Sequence, residues 1–195
     1  MRKASTTVLV ALVSHVTVAA SHAGIVTEHI EFDEWSALAG DVTAVTFTEY
    51  PAFTVITDQY ADLGVIFTDG NDFVGVHGTS VIDSHWLSGS DSDSITVQFD
   101  APRRAVGAHF PGVLFFELYN GDQLLYVSTQ FPDIFSHTFA GLVSAIPFDR
   151  VVLASWLLVP TATIDNLYFG PPVPAPGILT VMAAGFLLRN KRRRC

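Results

Sequence analysis

The sequence predicts an all-β body, an antiparallel β-sandwich of jelly-roll type. Apolar and polar residues alternate with a period of two through most of residues 24–170, as half-buried strands require. Clusters of Gly, Asn, Asp and Pro cut that stretch into roughly ten short segments. The chain is also rich in strand formers, with fifteen Phe, five Tyr and three Trp among 195 residues.

The elements follow in chain order. Residues 32–40 (FDEWSALAG) predict one or two helical turns, with Asp33 as cap and Gly40 as stop. Residues 42–47 and 54–57 read as strands. Residues 57–64 predict a second helical turn, begun near Asp58 and closed by Gly64, and a strand follows at 64–67. Ser94 to Phe99 alternates strictly. After an Asp100-Ala101-Pro102 turn, a further strand covers 104–110. Residues 114–119 and 123–127 flank Asn120-Gly121, a pair that accepts the positive φ of a type I′ hairpin turn. Residues 148–155 and 163–169 complete the set. Closing such a sandwich is expected to pair the first strand with the last.

Length and composition bound the function. The chain has room for one globular domain. Its 10 Lys+Arg against 19 Asp+Glu argue against a nucleic-acid binder. A single Cys, at position 195, excludes an internal disulfide and any cysteine-based zinc site. Seven of the ten basic residues fall in the first three or last seven positions, while every acid lies between Glu28 and Asp165. The interior therefore holds three basic residues against nineteen acids, a net −16. Basic, apolar ends around an acidic middle are an export arrangement.

Residues 1–23 read as a signal peptide. Arg2 and Lys3 form a positive start, 8–20 is mostly apolar, and Ser21-His22-Ala23 is a small-residue cleavage site for signal peptidase. An ordinary buried helix is the alternative. At the other end, 178–188 is an uncharged apolar run followed at once by Arg189, Lys191, Arg192, Arg193 and Arg194. It is short for a transmembrane helix, which needs roughly 20 residues. Counted from Val173, with snorkelling basic side chains, it reaches across the bilayer with its basic end cytoplasmic.

The run Val173-Pro174-Ala175-Pro176-Gly177, the apolar helix and the terminal arginines together resemble the PEP-CTERM sorting signal, in its VPAPG variant, with Ala175 in place of the usual Glu. The resemblance implies a Gram-negative-type bacterial source and recognition of the tail by an exosortase. It implies a final location at the cell envelope, outer surface or extracellular matrix. A plain tail anchor is the alternative. The expected layout is a signal peptide at 1–23, a β-sandwich at 24–170 and a sorting tail at 171–195. The body also resembles the β-sandwich modules found ahead of such tails, which are similar in layout to carbohydrate-binding jelly rolls. The segments that carry this are VITDQYADLGVIF, ITVQFDAPRRAVGAHF, FFELYNGDQLLYV, FDRVVLAS and TIDNLYFG.

Catalytic motifs are absent from the sequence. There is no Gly-x-Ser-x-Gly elbow, no His-Glu-x-x-His, no P-loop and no dinucleotide fingerprint. An enzyme would have to work through paired carboxylates in a cleft. Of the body's histidines, His29, His109 and His137 read as scattered strand and loop residues, while His77 and His85 flank a loop with Asp83 that either suits zinc or is a further case of scattered histidines. His85, with Asp83 and Trp86, forms a candidate ligand-binding loop, because an exposed indole covers the apolar face of a sugar. Trp35, Trp156, Tyr50 and Tyr60 are further aromatic candidates, with core burial as the alternative for each. Asp91 and Asp93 offer oxygen ligands to a hard cation in a turn that is otherwise simply solvated. A second candidate for structural calcium combines Glu31 and Asp33, near the first strand, with Asp165 in the last. The sequence thus points to an exported, non-enzymatic module that binds extracellular polysaccharide or adheres to it. A purely structural matrix component and a carboxylate-dependent glycan-active enzyme are the alternatives.

Overall fold

The computed structural model describes residues 25–68, 73–76, 85–88, 94–155 and 162–174. The proposed signal peptide and most of the tail, from Ala175 onward, lie outside these residues. In chain order the elements are β1 (Val26–His29), α1 (Phe32–Ala39), β2 (Thr43–Val45), a 3₁₀ turn (Ala61–Leu63) and β3 (Val65–Phe67). Next come β4 (Phe73–Val76), β5 (His85–Ser88), β6 (Ser94–Asn120), β7 (Gln123–Val127) and β8 (Phe131–Ala154), then β9 (Thr163–Ile164) and β10 (Leu167–Phe169).

The long strands β6 (27 residues) and β8 (24 residues) organise the fold. At about 3.3 Å per residue a straight β6 would span ~90 Å. A compact body of roughly 150 residues has a radius of gyration of only about 15 Å. Both strands must therefore bend, and each contributes to two layers. The bends fall where the register shifts, between Gln98 and Arg103 and between Phe110 and Gly112. Pro102 and Pro111 stand at these corners, where a missing N–H does least damage to a ladder. The sequence reading of Asp100-Ala101-Pro102 as a turn between two strands is thus replaced by a corner within one.

In the first layer, residues 150–154 of β8 run between 94–98 and 115–119 of β6, all antiparallel. β3 pairs the outer side of 97–99, and β7 pairs 117–120. In the second layer β1 pairs 141–144 of β8, which pairs 105–108 of β6, which pairs β10, which pairs β2. Inward residues of both layers, among them Ile95, Val97, Leu118, Val151, Val106, Phe110, Leu142 and Leu167, share one buried core. Phe99 meets Phe169 across the layers, with centroids 5.4 Å apart. The predicted antiparallel β-sandwich is therefore present, with one α-helix among the described residues. β4, β5 and β9 form a separate three-stranded sheet.

The helix covers the outer face of the second layer. That face is buried too, so 105–108 lose the polar–apolar alternation kept by 94–99. Gly107 and Gly141 sit opposite each other there. A Cβ on Gly141 would lie 2.5 Å from Trp35 Cδ1, and one on Gly107 would lie 2.6 Å from Phe139 Cζ. The glycine pair makes the hollow that lets both rings settle on the sheet. Trp35 is fully buried and its Nε1–H donates to Leu142 O at 3.1 Å.

Several expectations change in detail. α1 begins after Glu31, with no side-chain cap from Asp33, and closes on Gly40. Residues 57–64 form only a short 3₁₀ turn, which does close on Gly64. Residues 54–57 hold no strand, only an isolated bridge at Val55. The hairpin exists, but its loop residues are Gly121 and Asp122, because Asn120 already pairs with Gln123. Gly121 has φ +55° and Asp122 is not in the positive region, the pattern of a type II′ turn rather than I′. Asp149 on β8 explains the choice, since its carboxylate accepts the Gly121 N–H at 2.9 Å. The first and last strands do not pair: β8 and β6 lie between β1 and β10. No helix among the described residues is long and apolar enough to cross a membrane, and the apolar run 178–188 lies outside them.

Candidate functional site

The small sheet carries the aromatic candidates. Sequence reading put His85 and Trp86 in a loop, but both lie on β5. Val76 stands opposite His85, and Gly75 opposite Trp86. Leu87 points into the core, so alternation turns Trp86 to the opposite face, where it is half-buried. Gly75 offers no side chain beside it, which leaves the indole room above the neighbouring backbone. Asp83 lies outside the described residues, so the structure places two of the three predicted members.

A residue that sequence reading missed stands at the edge of this sheet. Pro51-Ala52-Phe53-Thr54 forms a tight turn, with Thr54 N–H donating to Pro51 O at 3.2 Å and Thr54 Oγ1 to the same oxygen at 2.7 Å. Phe53, the third residue of the turn, has φ +66°. That region favours Gly or Asn, and an L-residue with a bulky side chain pays on the order of 1–2 kcal/mol to occupy it. The turn is clamped to β4 by Phe53 N–H to Val74 O at 2.7 Å and Val74 N–H to Thr54 O at 2.9 Å. The clamp brings no burial: Phe53 is 82% exposed, and nearby Val55 is 47% exposed. A strained backbone thus holds an aromatic ring out to solvent beside the sheet that bears Trp86. Nothing local in Pro51-Ala52-Phe53-Thr54 marks the ring as exposed; that is defined only by its surroundings.

The proposed calcium ligands come near one another without converging. Phe32, between Glu31 and Asp33, stacks on His109 with centroids 5.9 Å apart. His109 O accepts the Asp165 N–H at 2.8 Å, and His109 N–H donates to Asn166 O at 3.1 Å. Asp165 is fully buried, whereas Glu31 and Asp33 are exposed. Among the described residues no three His, Cys, Asp or Glu side chains are grouped to hold a metal. The terminal-strand pairing that motivated this site is not formed.

His109 is a strand residue, as read from the alternation, but it belongs to a polar chain within an aromatic cluster. Asn166 Nδ2–H donates to Tyr168 Oη at 3.0 Å, and Tyr168 Oη lies 3.1 Å from His109 Nδ1. With Asn166 supplying that donor, the phenol proton is best used toward Nδ1. Phe139 packs edge-on at 5.3 Å.

The remaining aromatic and histidine candidates divide simply. Tyr60 is buried, and burial followed by the Glu49 carboxylate beside its hydroxyl raises its phenol above the usual range. Tyr50 packs against it at 5.6 Å. Trp35 is core, as described above. His29 is paired locally with Thr27. Trp156, His77, Asp91, Asp93 and the side chain of His137 lie outside the described residues.

At the start of the predicted tail, the chain leaves the body as an extension of β10. Gly170 N–H donates to Ala105 O at 3.0 Å and Val173 N–H to Pro102 O at 2.8 Å. A hollow of about 310 Å³ lies between this segment and the end of α1, lined by Leu38, Arg104, Pro171 and Val173. Val173 and Pro174 of the motif are thus placed. Ala175, Pro176, Gly177, Arg192, Arg193 and Arg194 are outside the described residues.

No protein-family model matches the chain, and no curated protein does. Among solved structures, the C-terminal domain of a chitobiase from Bacteroides fragilis is 17% identical with a TM-score of 0.38, covering 67% of this chain and 99% of its own. A family 32 carbohydrate-binding module of a family 31 glycoside hydrolase, bound to GalNAc, is 14% identical with a TM-score of 0.38, covering 67% and 97%. A family 32 module from Clostridium perfringens in complex with galactose is 15% identical with a TM-score of 0.35, covering 66% and 99%.

Proposed function

We propose that this chain is an exported, non-catalytic β-sandwich module that binds extracellular polysaccharide through the flank formed by Phe53 and Trp86, with His85 turned to the other face of β5. The observation that carries this reading is Phe53, an aromatic ring kept 82% exposed on a backbone that costs energy to hold. An exposed aromatic ring is the usual platform for the apolar face of a pyranose. The backbone that presents it is already fixed, so binding costs little loop ordering. Affinity electrophoresis of the purified protein through gels containing neutral polysaccharides tests the idea. The wild type is expected to be retarded in at least one gel. Phe53→Ala is expected to lose that retardation while its melting temperature stays level, because alanine keeps a Cβ and with it the same backbone strain. Equal mobility of the two proteins in every gel would remove Phe53 from any binding role and favour a purely structural component.

The same reading places the module at the envelope or in the matrix, delivered by the 1–23 signal and the tail motif that an exosortase recognises. The Val173–Pro102 hydrogen bond supports a short tether, since the body holds the chain up to the motif itself. Deleting residues 175–195 is expected to release a folded body into the medium. Persistence of that truncated protein in the envelope fraction would show that the tail is not its anchor.

A further inference from the structure

The acidic body holds three basic residues, and they have different fates. Arg103 is buried and bonded to Asp100 and to Gly170 O. Arg104 is exposed beside the emerging tail. Arg150 lies on the outer face of the first layer, the face away from α1. Its guanidinium carbon sits 4.3 Å from the centroid of the Tyr119 ring. Arg103–Asp100 is the single salt bridge among the described residues, so no described carboxylate lies within 4.0 Å of Arg150. Its Nε is buried and makes no hydrogen bond. A guanidinium with no described carboxylate within 4.0 Å is an odd feature in a body that carries nineteen acids.

The strand register shows what surrounds it. Ile66, Gln98, Arg150, Tyr119 and Leu124 form one row across β3, β6, β8, β6 and β7. Ile66 and Leu124, at the two ends, are 37% and 48% exposed, and Val127 beside them is 47% exposed. Glu117 accepts the Tyr119 hydroxyl. That bond, with some burial, raises the Tyr119 phenol, so it remains a donor at neutral pH and fixes the ring beneath the guanidinium. Gln98 is fixed by its own Nε2–H to Asp149 O at 2.8 Å. The result is a flat strip with a guanidinium held on the Tyr119 ring at its centre, without a salt bridge among the described residues, amide and carboxylate groups beside it, and apolar ends.

We propose that this strip binds a carboxylate-bearing sugar, a uronic acid, set within an otherwise neutral chain. The guanidinium fork matches a carboxylate, and pinning by Tyr119 lowers the entropy lost on binding. Gln98 and Glu117 suit the hydroxyls of the same ring, and the flat, apolar-ended row suits an extended chain. The ligand must be sparsely charged. Screening at physiological salt acts over about 8 Å, so one carboxylate at Arg150 feels mainly its local cation. A dense polyanion would also meet the acids of a body carrying −16. The strip is on a different sheet from Trp86, and the proposal does not rest on the Phe53 reading. Binding of an acidic chain with no neutral polysaccharide bound would leave it standing.

The test is calorimetric titration of the full-length protein with three probes. They are an oligosaccharide with one glucuronic acid per four sugars, its carboxyl-reduced twin, and a fully uronic polymer of equal length. The wild type is expected to bind the first at least tenfold more tightly than either of the others. Arg150→Gln is expected to abolish that preference, and Arg150→Lys to restore only part of it, with unchanged near-UV circular dichroism confirming the fold of both. Equal affinity for the acidic and reduced chains, tightest binding of the polyanion, no binding of the acidic chain, or an undiminished preference in Arg150→Gln would each overturn the proposal.

Discussion

Trp35→Ala is expected to destabilise the body by about 4 kcal/mol, within the range for deleting a fully buried Trp. For a domain near this size that corresponds to a fall in Tm on the order of 10 °C. The indole is the piece of α1 that enters the sheet, and without it Leu142 O loses a donor and the glycine hollow stands empty. Gly141→Ala attacks the same joint from the other side. Its new Cβ would lie 2.5 Å from Trp35 Cδ1, so the ring must move, at a cost of roughly 1–3 kcal/mol. The two changes touch each other and are not expected to add. Once the indole is gone, the alanine methyl keeps only its conflict with Phe139 Cζ at 2.8 Å, so the double variant should be more stable than the sum of the singles implies. Urea denaturation of the four proteins measures this, and strict additivity would mean that the helix does not rest on this hollow.

Arg103→Ala is the second large effect, expected at about 2 kcal/mol, from the loss of a charge-assisted hydrogen bond and of the packing between two rings. The guanidinium is 6% exposed, but its partner Asp100 is 64% exposed and can rehydrate when left alone. What the alanine variant loses is mostly internal. It loses a donor to Gly170 O at 3.3 Å and a cation held 5.1 Å from the Phe169 ring and 5.7 Å from the Phe99 ring. Arg103→Met keeps the stem that packs on these rings and should recover about half the loss. If methionine is no better than alanine in the same urea titration, the charge matters more than the packing assigned to it here.

The legible part of this sequence was its alternation. Ser94 to Phe99, the 114–119 and 123–127 hairpin arms and the helix at 32–39 all emerge because one face is polar and the other apolar. The pattern failed where a strand is covered on both faces. Residues 105–108 are buried throughout, so their period carries no sign of which neighbour lies on which side. It failed again for β4 and β5, four-residue strands too short to show a period, the second with polar residues at both ends, and this misplaced Trp86. Register was the least visible property. Nothing local in Asn120-Gly121-Asp122 says that Asp149, 28 residues on, will cap Gly121 and shift the turn by one position. The calcium site rested on a pairing of terminal strands that local sequence cannot fix, because β10 is captured by β6 and β2. Phe53 and Arg150 were hidden for another reason. Their interest lies in exposure without burial and charge without a salt bridge among the described residues, and both are defined only by what surrounds them.

The central claim is that Phe53 is held out as a contact surface for polysaccharide. The most direct test places a fluorine on that ring, as 4-fluorophenylalanine at position 53, and follows its ¹⁹F resonance as a neutral polysaccharide retarded in the electrophoresis is added. The account expects a shift or broadening that saturates with the same midpoint as binding and that competing free sugar reverses. A resonance that stays fixed while the polysaccharide binds would place the contact elsewhere on the molecule and contradict the account.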